Sequence, residues 1–147
     1  MIRIFFIFCI IVAGGAARVA AQSPELAWRE KTVWTVSYVE TKPGAFNDYM
    51  RDISGLWKKY IERAKSDGVV VSYKILSVLF TRDKEPDIII MTEYKNMAAF
   101  DNELQYMDKI FKELGGSWDE TDKLIVDREK LRSLRGTLLA REIEFQQ

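Results

Sequence analysis

Two charged residues stand inside segments of the chain that are otherwise rich in apolar side chains. Glu93 lies near the end of the run DIIIMTEY, and Arg141 lies within the run TLLAREIEF. A partly desolvated carboxylate could act as a general acid or base, and a guanidinium could bind a carboxylate or stabilise an enolate. The simpler interpretation is an ion pair or exposure at a strand end. Arg141 and Glu142 are adjacent, so they would face opposite sides of a strand and only one could join a given site.

Aromatic residues form a second group of candidates. Trp57 lies on the apolar stripe of an amphipathic segment, where it could stack on a flat aromatic ligand. Tyr38 and Tyr73 lie in β-rich segments, where a phenol could reach a pocket. The plainer interpretation makes all three core or interface residues, with ordinary hydrogen-bond partners for the hydroxyls. The candidate ligand-binding residues are therefore Tyr38, Trp57, Tyr73, Glu93 and Arg141, and no catalytic residue is assigned.

The composition excludes several kinds of functional site. The chain has no histidine and a single cysteine, Cys9, which argues against histidine-dependent triads, histidine-ligated haem and His/Cys zinc sites. The acidic residues 119–122 lack the spacing and the central glycine of a calcium loop, and no phosphate-binding or dinucleotide motif is present. We therefore expect no metal and no cofactor. Lys+Arg and Asp+Glu are both 22, and this balance argues against a nucleic-acid partner.

Residues 1–21 have the features of a cleavable export signal. Arg3 provides a short positive region, an apolar run follows, and small residues precede Gln22. A helix over residues 4–17 would span roughly 21 Å, which is short of the ~30 Å hydrocarbon core and disfavours a membrane anchor. Cleavage after Ala21 would leave residues 22–147 as a single domain. We expect that domain in the periplasm or outside the cell, without stable insertion in a membrane.

The remaining chain alternates between two periodicities. Four segments are rich in β-branched and aromatic residues and predict strands, at residues 33–40, 69–80, 87–94 and 137–145. Residues 46–64 and 97–114 repeat apolar side chains at three- and four-residue steps, which predicts two amphipathic helices. The order β-α-β-β-α-β predicts an α+β, ferredoxin-like fold, with a four-stranded antiparallel sheet and helices on one face.

The ends of the helices are less regular. Asn96 has the residue type of an N-cap for the second helix. A further short helix over residues 122–134 stays open, with Gly136 as the residue after its end. The charged residues 128–132 are interpreted as the solvated face of that helix.

Both faces of the predicted sheet are apolar. In the third strand, for example, Ile88 and Ile90 oppose Ile89 and Met91. Two helices can cover only one face, and a bare apolar sheet is an interaction surface. A second copy of the same sheet in a two-fold homodimer would cover the other face. The alternative cover is formed by residues 117–136 and 24–31 of the same chain.

The order of elements, the turn Lys42-Pro43-Gly44 and the boundary Tyr94-Lys95-Asn96-Met97 resemble the dimeric α/β-barrel superfamily across residues 33–145. The superfamily includes small exported bacterial members of unassigned activity. The resemblance implies that two sheets pack face to face as a barrel and that small ligands bind between sheet and helices. Its haem-degrading members hold iron with a histidine, which this chain lacks.

Two functions are compatible with these features, and the sequence does not decide whether the protein is an enzyme. The first is an exported homodimer that binds a small apolar or aromatic ligand between sheet and helices; a purely structural dimer has the same sequence features. The alternative is a cofactor-less monooxygenase or isomerase acting on an activated aromatic or carbonyl compound. In that case Glu93 or a tyrosine would move the proton, Arg141 would stabilise negative charge and Trp57 would position the ring.

Overall fold

The computed structural model describes residues 26–114 and 117–146. The proposed signal, residues 1–21, lies outside the described residues. Four strands are present in the described ranges: β1 (Trp28–Thr41), β2 (Val70–Ser77), β3 (Ile88–Tyr94) and β4 (Arg132–Phe145). The same ranges contain four α-helices: α1 (Phe46–Ile53), α2 (Leu56–Ser66), α3 (Glu103–Glu113) and α4 (Trp118–Arg128). None of these helices is both long enough and apolar enough to cross a lipid bilayer.

The strands form one antiparallel sheet in the order β2-β3-β1-β4. This is the ferredoxin-like arrangement that the order of elements predicted, with β1 and β3 in the centre. In the pairing of β1 with β3, Val33 lies opposite Tyr94 and Val36 lies opposite Met91. Because neighbouring residues of a strand face opposite sides, this register decides which side chains share a face.

Helices α1 and α2 pack on one face of the sheet. One group of buried core residues joins β1 and β3 to α1 and consists of Val39, Tyr49, Ile53 and Ile88. A second group joins α2 to the start of β2 and consists of Ile61, Ala64 and Val70. Strand β4 is much more exposed, and its neighbouring residues Leu138 and Leu139 are each 53% exposed although they lie on opposite faces. The core therefore lies over β1, β2 and β3.

The single helix predicted over residues 46–64 is wrong, because the segment forms α1 and α2 with a break at Gly55. Gly55 has a ψ of -113°, outside the helical region, and a Cβ there would lie 3.1 Å from the carbonyl oxygen of Asp52. Ile53 and Ile61 both face the sheet across the break. The apolar period thus continues through the interruption, which explains why the pattern predicted one helix.

A short 3₁₀ turn (Met97–Phe100) precedes α3, so the second predicted helix is also interrupted. Asn96 caps this turn as expected, since its side chain accepts the Ala98 amide at 3.0 Å. Asn102 then adopts a positive φ of 60° before α3 begins.

A helix does follow α3, but the bounds considered for it, residues 122–134, are wrong. Helix α4 begins at Trp118 and ends at Arg128. Ser117 starts α4 with a capping box: its hydroxyl accepts the Glu120 amide at 3.3 Å, and the Glu120 carboxylate accepts the Ser117 amide at 2.9 Å. Gly136 does not end a helix but lies within β4 opposite Tyr38. Its φ of +151° is a conformation that side-chain-bearing residues rarely adopt.

Gly136 belongs to a β-bulge that changes which way the start of β4 faces. Tyr38 pairs with Gly136 but the next residue of β1, Val39, pairs with Leu134, so Arg135 is the extra residue. Arg132, paired with Thr41, therefore lies on the helix side of the sheet. A second bulge, near the start of β2, places Val70 on the helix side of the sheet, where it is buried.

Candidate functional site

A cleft of about 240 Å³ lies between the helix side of the sheet and the helices that cover it. We call it the sheet–helix cleft. It is lined by Thr35, Ser37, Val39, Ile90, Thr92 and Tyr94 from β1 and β3, by Tyr49, Ile53, Trp57, Tyr60 and Ile61 from α1 and α2, and by Arg128, Arg132 and Leu134. Ligand pockets commonly measure roughly 300–1,000 Å³, so this cleft is smaller than most and has room only for a small molecule.

Hydroxyl groups interrupt the apolar floor of the cleft. Thr92 is only 5% exposed. Ser37 shares a 3.0 Å hydrogen bond with Thr137 of β4, and Thr35 is hydrogen-bonded to Tyr94. A few fixed polar groups in an apolar cavity are what orients a bound small molecule.

Two arginines lie at one side of the cleft, and both are largely buried. The Arg128 and Arg132 side chains are 15% and 12% exposed. Nε of Arg128 donates to the Asp52 carboxylate. Nη2 of Arg132 lies 3.2 Å from Oε1 of Glu129, and the guanidinium carbon lies 5.9 Å from the centre of the Tyr49 ring. The cleft is therefore bordered by two ion-paired guanidinium groups, one of which also lies over an aromatic ring.

The Nε atom of Arg132 is buried and has no hydrogen-bond acceptor among the described residues. Leaving a buried donor unpaired costs about 1–3 kcal/mol, and more when the group is charged. This N–H is therefore an unsatisfied donor on a side chain that lines the cleft.

The tyrosines of the cleft keep their protons at neutral pH. Burial raises the pKa values of Tyr49, Tyr60 and Tyr94 above the ordinary 10.0. For Tyr49 the positive charges of Arg132 and Arg128 oppose this effect without cancelling it. The phenols are therefore hydrogen-bond donors or apolar surfaces for a ligand, not bases.

A smaller, almost wholly apolar cavity of about 160 Å³ lies between α2, α3 and α4. Trp57, Tyr60 and Arg128 line both this cavity and the sheet–helix cleft. Helix α4 contributes Thr121, Leu124 and Ile125 to the smaller cavity. The two cavities thus share one aromatic wall.

Of the residues singled out in the sequence, Trp57 and Tyr73 are brought together on the helix side of the sheet. Their rings meet edge to face with centroids 5.5 Å apart. The Tyr73 hydroxyl donates to Oε1 of Glu62 at 2.7 Å. Trp57 lines the sheet–helix cleft, whereas Tyr73 lies behind it along a separate shallow groove.

The other three candidates do not meet these two. Glu93 pairs with Trp34 in the register and Arg141 pairs with Val33, so Glu93 and Arg141 lie on opposite faces of the sheet. Glu93 accepts a hydrogen bond from the Ser72 hydroxyl at 2.5 Å, and Tyr38 shares its face. Arg141 is exposed and ion-paired with Glu30. The five side chains therefore do not converge on one cavity within a chain.

Sequence reasoning missed Arg128 and Arg132. The interpretation of residues 128–132 as a solvated helix face is wrong for both arginines, because α4 ends at Arg128 and β4 begins at Arg132. If the strand is started at Arg132 rather than at Thr137, Arg132 and Leu134 fall on the same face of the sheet. This alternation is the sequence feature that could have identified Arg132 as a cleft residue.

The sheet face opposite the helices is apolar, as the sequence predicted. We call it the open face; it carries Trp34, Val36, Tyr38, Leu76, Ile89, Met91, Leu138 and Ala140. Leu76 is 44% exposed and Leu138 is 53% exposed. Polar groups lie at its edges, where Lys74 Nζ approaches the Trp34 ring at 5.5 Å. An apolar centre with a polar rim is typical of a protein interface.

The residues that the structure describes hold no group of three or more acidic or cysteine side chains placed to bind a metal ion.

Comparison with known proteins identifies the fold. No family model and no curated protein matches the chain. Two solved structures, each described as a dimeric ferredoxin-like protein from an uncultured marine organism, are similar to it. The first has 13% identity and a TM-score of 0.50 over 81% of this chain and 91% of its own. The second has 11% identity and a TM-score of 0.51 over 81% of this chain and 99% of its own. The chain therefore has the ferredoxin-like α+β fold.

Proposed function

We propose that the protein is an exported homodimer that binds a small apolar or aromatic molecule in the sheet–helix cleft. In this proposal residues 1–21 direct export and are removed, and residues 22–147 form one domain in the periplasm or outside the cell. The observation that carries the proposal is the cleft itself, since it combines an aromatic wall with a few polar groups at fixed positions.

The residues singled out in the sequence take different parts in this proposal. Trp57 contacts the ligand, and Tyr73 supports the Trp57 ring from behind. Tyr38 and Glu93 lie at the dimer interface, because both are on the open face. Arg141 and Glu30 tie β4 to β1.

Four observations support the homodimer. The open face is apolar, its central residues belong to β1 and β3, and the helices that build the core pack on the other side. Both similar structures are described as dimeric. Two copies of a sheet that meet face to face would bury this surface by two-fold symmetry.

The alternative, a cofactor-less monooxygenase or isomerase, draws no support from the cleft. The ionisable groups that line it are phenols and guanidinium groups, which hold their protons near neutral pH. Glu93, the carboxylate proposed to move a proton, lies on the other face of the sheet.

A variant that fills the cleft tests ligand binding. Ser37→Phe places a ring on the cleft floor, so we expect it to lose any small molecule that copurifies with the wild-type protein. The measurement is mass spectrometry of organic extracts from equal amounts of the two folded proteins. Leu104→Phe is the matched control, because Leu104 is 68% exposed on α3 and does not line the cleft. Retention of the same compound by Ser37→Phe would contradict the proposed site.

A further inference from the structure

We infer that the ligand of the sheet–helix cleft is a small organic acid whose carboxylate is bound by Arg132. This inference rests on the proposed ligand-binding function and narrows it to a chemical class. The feature that points to an acid is a buried guanidinium with one unused donor beside an aromatic pocket.

The surroundings of Arg132 leave one N–H of its guanidinium, the Nε–H, without a partner among the described residues. Nη2 lies 3.2 Å from Oε1 of Glu129, and the Tyr49 ring lies beside the group. The Arg132 side chain lines the cleft. Its Nε atom is buried and has no hydrogen-bond acceptor in residues 26–114 or 117–146. An ionised carboxylate accepts a strong hydrogen bond from a guanidinium N–H, and the Nε–H of Arg132 is the donor that Glu129 leaves unused.

The charges around the cleft favour an anion. Arg128 is balanced by Asp52, and both side chains are mostly buried, so their pairing is weakly screened. The Glu129 side chain that balances Arg132 is 52% exposed, so water screens its charge. None of the described residues that line the cleft carries a carboxylate. The described side chains that line the cleft therefore carry positive charge and hydroxyl donors, and the carboxylates that balance the two arginines lie outside its lining.

The rest of the cleft suits the apolar part of such an acid. Ile53, Trp57 and Ile90 provide apolar surface, and Thr92 provides a buried hydroxyl. The volume of about 240 Å³ restricts the ligand to a small ring system. An aromatic carboxylate of that size matches both the charge and the shape.

The test compares acids with their neutral amides on the wild-type mature protein. The probes are benzoate, phenylacetate and 1-naphthoate, with the corresponding amides, followed by NMR of the arginine Nε–H and tryptophan indole resonances. We expect at least one acid to shift the Arg132 and Trp57 resonances and to bind about tenfold or more tightly than its amide, the usual size of a charged hydrogen bond.

Two variants assign the effect to Arg132. Arg132→Gln should weaken binding of the acid about tenfold and leave the amide unchanged. Arg51→Gln removes the same charge from α1, where the side chain is 76% exposed and outside the cleft, and should change neither affinity. If Arg132→Gln does not fold, the wild-type comparison of acid with amide decides the question.

The outcomes separate the two proposals. Equal affinities for acid and amide, with shifts at cleft residues, would overturn the preference for an acid and leave ligand binding in place. If no acid and no amide shifts a cleft resonance at millimolar concentration, both the acid and the ligand-binding cleft are overturned.

Discussion

Glu142 is an exposed carboxylate on β4 that accepts two hydrogen bonds from β1. The Trp34 indole N–H donates to it at 3.0 Å, and the Thr32 hydroxyl donates at 2.8 Å. These bonds, with the positive charges of Lys31 and Lys74, hold the pKa of Glu142 below its ordinary 4.5. Because Trp34 belongs to the open face, Glu142 fixes the position of one of the main apolar side chains of that surface.

Glu142 should make stability depend on pH in the acidic range. A carboxyl whose pKa is lowered by folding stabilises the protein fully above its unfolded pKa of 4.5, and this stabilisation is lost as the pH falls through the lower folded value. We expect Glu142→Gln to be less stable than wild type above pH 4.5, with a difference that shrinks below it. Urea unfolding at a series of pH values measures this.

Carboxyl NMR gives a direct check on the cause of the Glu142 shift. Trp34→Phe removes the indole donor and should raise the pKa of Glu142 toward its ordinary value. A wild-type Glu142 that titrates at or above 4.5 would contradict this assignment.

At the residue scale, periodicity identified Trp57 but could not identify Arg132. Trp57 continues an apolar stripe, so its burial against the sheet follows from local spacing. The faces of Glu93 and Arg141 depend on register, because their partners Trp34 and Val33 are neighbours in β1. A shift of one residue would exchange the faces, and no local pattern specifies that register.

At the scale of elements, the bulge in β4 connects the fold to the site. It makes Arg135 the extra residue and thereby places Arg132 and Leu134 on the helix side of the sheet. Without the extra residue, the alternation that starts at Thr137 would direct Arg132 to the open face. The sequence interpretation treated Gly136 as the residue after a helix, and it therefore missed both the bulge and the arginine.

Gly136→Ala should destabilise the protein through its backbone. The φ of +151° is strained for any residue with a side chain, although a Cβ at this position would meet no atom within 4 Å. We expect a loss of about 1–3 kcal/mol in the free energy of unfolding, measured by urea denaturation. Ser133→Ala, on the same strand, should cost less than about 0.5 kcal/mol. Equal losses in the two variants would contradict a special backbone requirement at Gly136.

The helices show the same limit of local patterns. The strands β1 and β3 and the apolar faces of α1 and α2 followed from composition and period. The break at Gly55 did not, because the apolar residues on either side of it keep their spacing. Strands and helices with one buried face were thus predictable from the sequence. Breaks within a helix, such as the one at Gly55, were not.

At the scale of the whole molecule, a single chain leaves the apolar open face of the sheet exposed to water. Leu138 and Leu139 provide a matched test, because both are 53% exposed and adjacent in β4 but lie on opposite faces. We expect Leu138→Arg to sediment as a folded monomer, since it places a charge in the proposed dimer interface. Leu139→Arg should remain a dimer.

Analytical ultracentrifugation distinguishes these outcomes, and circular dichroism shows whether each variant is folded. Dimers of both variants would exclude the open face as the interface. Dissociation of Leu139→Arg alone would place the interface on the other side of β4.

Native mass spectrometry of wild-type residues 22–147, the chain that the proposed export would leave, tests the dimer and its bound ligand together. We expect the mass of two copies of residues 22–147, with a reproducible additional mass of up to one small molecule for each copy. A monomer of that chain without any bound compound would contradict both the dimer and the ligand-binding cleft.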